Sequence, residues 1–240
     1  GQVPEDIREY WMNRNAWGQF CTKILRMKCY DHPDDVPHTL PYKFVSNQGH
    51  LSPSLGEVLR VGLDGVLARV NKRKQAETNS DQMAFLGAAE NSLLGLSEWI
   101  GRYAEFLAAE ASKASEADRA AELREMSRMA KKLTSEAPET FHEALQLVWF
   151  VYQAIHIEGH GYSCTPDRID QLLLPYYEAD RQAGRIDDDA VLRLVENFVL
   201  KQYDNCFWGP EHHLTQGLCV AGSTADGKDL TNRLSWLFVE

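Results

Sequence analysis

Residues 139–177 read ETFHEALQLVWFVYQAIHIEGHGYSCTPDRIDQLLLPYY. In the first half, Phe141, Leu145, Leu147, Val148, Trp149, Phe150, Val151, Tyr152, Ile155 and Ile157 leave a helix over 139–157 with almost no polar side. A helix that is apolar all round, yet too short to span a bilayer, belongs in a protein interior. Gly159-His160-Gly161 stops it, since glycine readily takes the left-handed turn that ends many helices. Thr165-Pro166 can start the next helix with proline at its first position, and Pro175 is expected to bend or end that segment. The stretch therefore predicts a buried helix that opens through a glycine-rich, histidine-bearing loop, a plausible wall for a cavity.

Outward from it, the 3.6-residue period predicts further helices. Residues 54–71 carry Leu55, Val58, Leu59, Gly62, Leu63 and Val66 on one face, with Ser54 and Glu57 in a capping-box pattern. Residues 82–111 repeat the pattern through Leu86, Leu93, Ile100, Tyr103 and Leu107. Residues 116–133 have a thin apolar face of Leu123, Met126, Met129 and Leu133, so that helix is expected on the surface. Residues 187–203 form another amphipathic helix. Leu214–Ala221 reads as a strand, Asp226-Gly227 as the tip of a turn, and Asp229 or Thr231 as the cap of a last helix through Leu234, Leu237 and Val239. The local reading is mainly helical, closing on one strand–turn–helix unit of the kind that begins an α/β barrel. The first residue is Gly1 and the apolar pattern still runs at Glu240, so the chain is expected to be an internal piece of something longer.

Composition narrows the function classes. A chain of 240 residues, 44% hydrophobic and 25% charged, can build one sizeable core or two small ones. Its formal net charge of -10 argues against nucleic acid and anionic membrane as partners. There is no apolar run of transmembrane length and no signal peptide, and a cytoplasmic location is expected. The five cysteines, Cys21, Cys29, Cys164, Cys206 and Cys219, are odd in number and include no Cys-x-x-Cys pair, which favours reduced thiols over a disulfide or zinc framework.

Three polar clusters could carry chemistry. His156, Glu158 and His160 would put two imidazoles on one face of a continued helix, where a metal could bind. Against this, the order is not His-Glu-x-x-His, and Gly159 weakens the helix between them; histidines bonding carbonyls at a helix end explain the pattern as well. Glu211-His212-His213 precedes the strand, where α/β folds place active-site groups, though a polar loop would read the same. Asn47-Gln48-Gly49-His50 precedes the helix at Ser54, either as a ligand-collecting N-terminus or as an ordinary connection. Ser163 lacks a Gly-x-Ser-x-Gly setting and Cys164 lacks a paired base, so neither reads as a nucleophile.

Taken together, Ile157–Tyr177, Glu178-Ala-Asp180, Gly184, Gln216-Gly217-Leu218, Gly222 and Asp226-Gly227-Lys228-Asp229-Leu230-Thr231-Asn232 resemble the glycyl radical enzymes of the pyruvate formate-lyase superfamily. Pro138–Gln146 and Gly49-His50 fit the same resemblance, which covers most of residues 45–240. It implies a ten-stranded α/β barrel wrapped in helices, of which this fragment is a mainly α part. It also implies a radical lyase or dehydratase acting on a small-molecule substrate, commonly as a homodimer. A separate activating enzyme, using S-adenosylmethionine and an iron–sulfur cluster, installs the glycyl radical. On this reading 1–240 is one partial domain, with 1–45 peripheral, 46–213 a helical wrap and 214–240 the first strand–turn–helix of the barrel.

The departures matter as much. Neither a Gly-Cys-x-Glu thiyl loop nor an Arg-Val-x-Gly radical loop occurs in the chain, so it is expected to hold no catalytic residue, bind no cofactor or metal, and be inactive alone. What the resemblance carries over is substrate contact. Tyr162-Ser163 occupies the place of a His-Ser pair in diol-dehydratase-like members, and His50 with Asn47 fits a second pocket-facing segment. Tyr162 in place of His argues against glycerol or a simple diol. Two other readings stay open: a catalytically dead or split subunit that docks with a partner, and a metal hydrolase built on His156, His160 and Glu211 or His212.

Overall fold

The computed structural model describes residues 51–159, 164–204 and 217–240. Among the described residues the fold is helical: α1 (Leu55–Ala76), α2 (Ser80–Lys113), α3 (Ala117–Leu133), α4 (Phe141–Gly159), α5 (Ile169–Gln182), α6 (Asp188–Asp204) and α7 (Arg233–Leu237). The chain divides into two compact units. One holds the described parts of Gly1–Pro53, Tyr152–Thr165 and Leu200–Leu218; the other holds Ser54–Val151, Pro166–Val199 and Cys219–Glu240.

In the second unit α2 packs along both α1 and α3. Asn79 starts α2, its side chain accepting the amides of Asp81 and Gln82. Ser127 donates to the carbonyl of Ala104, and Ser97 to that of Thr134, which ties α2 to α3 and to the turn after it. As its thin apolar stripe predicts, α3 buries only small and aliphatic residues, Ala120, Leu123, Met129, Ala130 and Leu133, and leaves Met126 exposed. The inner layer is α4, where Phe141, Ala144, Leu145, Leu147, Val148 and Phe150 are all buried. Phe150 meets Trp99 of α2 edge-on at 5.7 Å, and Trp149 meets Phe198 of α6 at 6.0 Å, geometries that favour aromatic pairs.

α1 is kinked. Gly62 sits at φ 70°, ψ 178°, inside the helix, and a Cβ there would lie 2.4–2.5 Å from backbone atoms of Ser135, Glu136 and Ala137. The amide of Asp64 donates to the carbonyl of Ser135 at 3.0 Å across that contact. Periodicity placed Gly62 on the apolar face; the structure adds that it is where two backbones touch.

The N-terminus of α4 is held by side chains from three directions. The Thr140 hydroxyl accepts the amide of Glu143 at 3.2 Å. Asp180, at the far end of α5, accepts the amide of Phe141 at 2.8 Å. The buried carboxylate of Glu143 accepts the amide of Glu139 at 2.8 Å and the ammonium of Lys132 at 2.8 Å. Burial pushes the Glu143 carboxyl up, but Lys132 and the backbone amides of Glu139 and Thr140 outweigh it and hold it below the ordinary 4.5. A carboxyl depressed on folding adds stability above its unfolded value and loses it as pH falls through its folded value. Glu143→Gln should therefore cost about 2 kcal/mol at pH 7. The gap to wild type should close as pH drops below 4.5. Urea midpoints at pH 7, 5, 4 and 3 check this; a gap that stays constant to pH 3 would refute it.

Several expectations about element ends are corrected. Ser54, at φ -74° and ψ 84°, makes no side-chain cap, and the Glu57 carboxylate that would complete the box is engaged by Arg60 at 2.9 Å and by Arg69. Thr165-Pro166 does not start α5. Asp167 takes a left-handed φ of 28°, which breaks helical geometry, and the helix begins after Arg168. α5 runs through Pro175 without ending. Tyr176 donates to the carbonyl of Leu59 and Tyr177 to Asp188, both at 2.8 Å, so tertiary bonds carry the helix past the missing amide. Asn232, not Asp229 or Thr231, caps α7, in a capping box with Ser235. Asp229 instead accepts the amide and hydroxyl of Thr231.

The expected strand Leu214–Ala221 is not found in its described part, 217–221. Cys219 forms a single parallel bridge to Arg168, and Ala221 turns left-handed at φ 58°. The Ala221 amide goes to a side-chain carboxylate and so is lost to any ladder. The turn at Asp226-Gly227 is present, closed by Thr224 and Lys228 at 2.9 Å. No described helix is long and apolar enough to cross a membrane.

Candidate functional site

The four substrate-contact candidates, Asn47, His50, Tyr162 and Ser163, lie outside the described residues, as do His160 and Glu211-His212-His213. Their neighbours along the chain are described, and the fold brings these together in the first unit. Leu51, next to His50, forms a parallel bridge with Cys164, next to Ser163. The amide of Thr165 donates to the carbonyl of Leu51 at 2.8 Å. Gly217 lies beside the same Thr165: a Cβ on it would sit 3.4 Å from the Thr165 hydroxyl oxygen. Three segments separated by up to 166 positions thus meet at one place, a hydrogen-bonded seam.

Cys164 is buried in that seam, and burial pushes its thiol up to about 11. A protonated thiol is a poor nucleophile, in keeping with a structural role. Cys219 is exposed.

On the α4 side, the His156 ring stacks on Tyr152 with centroids 4.1 Å apart, and its Nδ1 lies 2.8 Å from the Tyr152 carbonyl oxygen. A carbonyl only accepts, so Nδ1 carries the proton. Burial pushes His156 below its ordinary value against the opposing pull of that carbonyl, which leaves a neutral imidazole at neutral pH. This is the arrangement of a histidine bonding a carbonyl near a helix end. Among the described residues no group of three His, Cys, Asp or Glu is placed to hold a metal.

Two buried carboxylates, Asp170 and Asp180, organise the helices and were not picked out as such from sequence. Besides near neighbours in the chain, each has partners 39 to 65 positions away, Phe141 for Asp180 and Ala221 and Ser235 for Asp170, a spacing that no local pattern encodes.

Comparison with known proteins gives a consistent result. The family model described as pyruvate formate lyase-like matches residues 2–240. The (2S)-3-sulfopropanediol dehydratase of Klebsiella oxytoca is 27% identical over 206 residues, covering 80% of this chain and 25% of that protein. An isethionate sulfite-lyase of Nitratidesulfovibrio vulgaris is 31% identical over 152 residues, 59% of this chain and 18% of its own length. The glycerol-bound B12-independent glycerol dehydratase of Clostridium butyricum superposes with a TM-score of 0.73 at 30% identity, covering 82% of this chain and 26% of that one. A glycyl radical enzyme of Archaeoglobus fulgidus superposes at 0.69 with 25% identity, over 80% of this chain and 26% of that one. The chain spans about a quarter or less of the length of these proteins.

Proposed function

The chain belongs to the pyruvate formate lyase-like family of glycyl radical enzymes, and from that premise we propose that it forms part of the substrate-pocket wall of a radical dehydratase or lyase acting on a small polar molecule. The observation that carries this reading is the seam of Leu51, Cys164, Thr165 and Gly217, because the segments bearing Asn47, His50, Tyr162 and Ser163 continue directly from it. The relatives' names add the substrate class: sulfopropanediol, isethionate and glycerol are all small and hydroxyl-bearing.

In this reading Ser163 and Tyr162 offer hydroxyls, Asn47 an amide and His50 an imidazole, each able to bond a substrate hydroxyl or anionic oxygen. The helical wrap shields the site of the longer polypeptide from water and oxygen. The glycyl radical, installed by a partner activating enzyme, supplies hydrogen abstraction through a cysteine. Neither radical-bearing nor thiyl-bearing loop fits any segment of this sequence, so these 240 residues bind and enclose without turning over. The working form is a homodimer of the longer polypeptide.

The test is anaerobic activation of the full-length gene product with isethionate, sulfopropanediol and glycerol as substrates. One of the sulfonates should be consumed, and Ser163→Ala should lower kcat/KM about tenfold through a lost hydrogen bond to substrate. The 240 residues alone should give no product. Unchanged kcat/KM in both Ser163→Ala and Tyr162→Phe would sink the pocket assignment. Hydrolysis that tracks stoichiometric zinc would sink the class.

A further inference from the structure

Asp170 is fully buried, and none of the described residues that bond it is a lysine or arginine. Its Oδ1 accepts the amide of Gln171 at 2.9 Å. Its Oδ2 accepts the Gln171 side-chain amide at 2.9 Å, the Ala221 amide at 2.8 Å and the hydroxyl of Ser235. The Gln171 side chain and Ser235 are committed elsewhere as well. Gln171 also donates to the carbonyl of Leu230, and the Ser235 oxygen accepts the amide of Asn232 in the α7 capping box. Neutral donors aimed at one carboxylate can offset the cost of burying its charge, but only if they stay in place.

The backbone around this point is strained. Asp167 and Ala221 are the described non-glycine residues with left-handed φ, at 28° and 58°. Such conformations cost about 1 kcal/mol or more each for a residue with a Cβ and persist only where the surroundings over-determine them. Both flank the Arg168–Cys219 bridge, where the Ile169 amide donates to the Cys219 carbonyl at 3.2 Å. Gly222 beside them sits at φ 96°, close against Arg168. One stem, 166–168, follows Tyr162 and Ser163 along the chain; the other, 219–222, follows Glu211-His212-His213.

We infer that Asp170 is a positioning residue whose carboxylate locks the stems 166–168 and 219–222 in register and holds Ala221 in its strained turn. The role of the loops those stems carry rests on the proposed function; the lock itself does not.

Amide hydrogen exchange on the chain tests it in wild type, Asp170→Asn, and Asp170→Asn combined with Ala221→Gly. Asparagine keeps the shape but sets a donor against at least one N–H. Exchange at Arg168–Gln171 and Cys219–Ser223 should quicken about tenfold or more, while buried amides of α2 and α3 keep their rates. Glycine takes the 221 turn without strain, so the double variant should regain at least about threefold of the lost protection. A residue that merely stabilises the fold would speed exchange in α2 and α3 alike and show no rescue, and either result overturns the inference. Should Asp170→Asn not fold, Ser235→Ala reads the same lock: faster exchange at Cys219–Ser223 and in α7 alone supports it, and a uniform or absent change overturns it. No turnover is needed, so a failed lock and a failed radical-enzyme reading are told apart.

Discussion

Gly62→Ala should destabilise the chain by about 4 kcal/mol, the largest effect expected of any single methyl group here. Two costs add. The backbone at φ 70°, ψ 178° lies in a region that is essentially reserved for glycine. The new Cβ would also meet the Ser135 carbonyl oxygen at 2.4 Å and the Ala137 nitrogen at 2.5 Å. Those are backbone atoms, so no side chain can swing aside. Moving the 135–137 turn would break the bond from Asp64 to Ser135 and pull the start of α4 with it. Gly87 of α2 supplies the contrast: it is helical and nothing lies within 4 Å of a Cβ there. Gly87→Ala should stabilise by about 0.5–1 kcal/mol through helix propensity and a less flexible unfolded chain. Urea midpoints with unchanged m-values measure both. If Gly62→Ala unfolded within 0.5 kcal/mol of wild type, roughly the size of an ordinary surface change, the close backbone contact would be wrong.

Asp180→Ala should cost about 2–3 kcal/mol, by removing a helix cap and half of an ion pair together. Asp180 Oδ2 accepts the Phe141 amide at 2.8 Å, and its other oxygen accepts from Arg185 at 2.7 Å. The two parts can be separated. The Arg185 side chain is 52% exposed, so water takes over most of what it loses and Arg185→Ala should cost under about 1 kcal/mol. The Phe141 amide is buried at the head of the inner helix, and without Asp180 it has lost its acceptor. Asp180→Asn keeps an acceptor oxygen and should fall between the two. Guanidinium titrations of the three variants check the ranking. If Arg185→Ala were the most damaging, the ion pair and not the cap would be what matters.

Both predictions rest on contacts that the one-dimensional pattern did not reveal, although the residues themselves stood in view. By periodicity Gly62 is one more member of an apolar stripe, and Asp180 is part of the run Glu178-Ala-Asp180 that carries the family resemblance. Ser54 and Glu57 show the converse. They make a sound capping pattern, but arginines at positions 60 and 69 reach the Glu57 carboxylate first. A local motif fixes which bonds are available; competing partners fix which are made. The candidate site divides the same way. Asn47, His50, Tyr162 and Ser163 could be named only from resemblance. What ties their flanking residues together is a bridge from Leu51 to Cys164 and the approach of Gly217 to Thr165, and no spacing announces either.

Amino-acid order alone was enough to establish the mainly helical architecture, the burial of most of the apolar side chains of α4 from Phe141 to Tyr152, though not of Ile157, which is exposed, the surface position of α3, the turn at Asp226-Gly227 and the family. Each of these follows from hydrophobic period, glycine placement or ordered motifs, which act over a few residues. Folding in three dimensions decided the kink at Gly62, the continuation of α5 through Pro175, the loss of the strand at 217–221 and the roles of Asp170 and Asp180. In those cases a buried polar group or a close backbone had to be satisfied by a partner tens of residues away, and the free energy of an unmet hydrogen bond or a steric overlap exceeds any local preference.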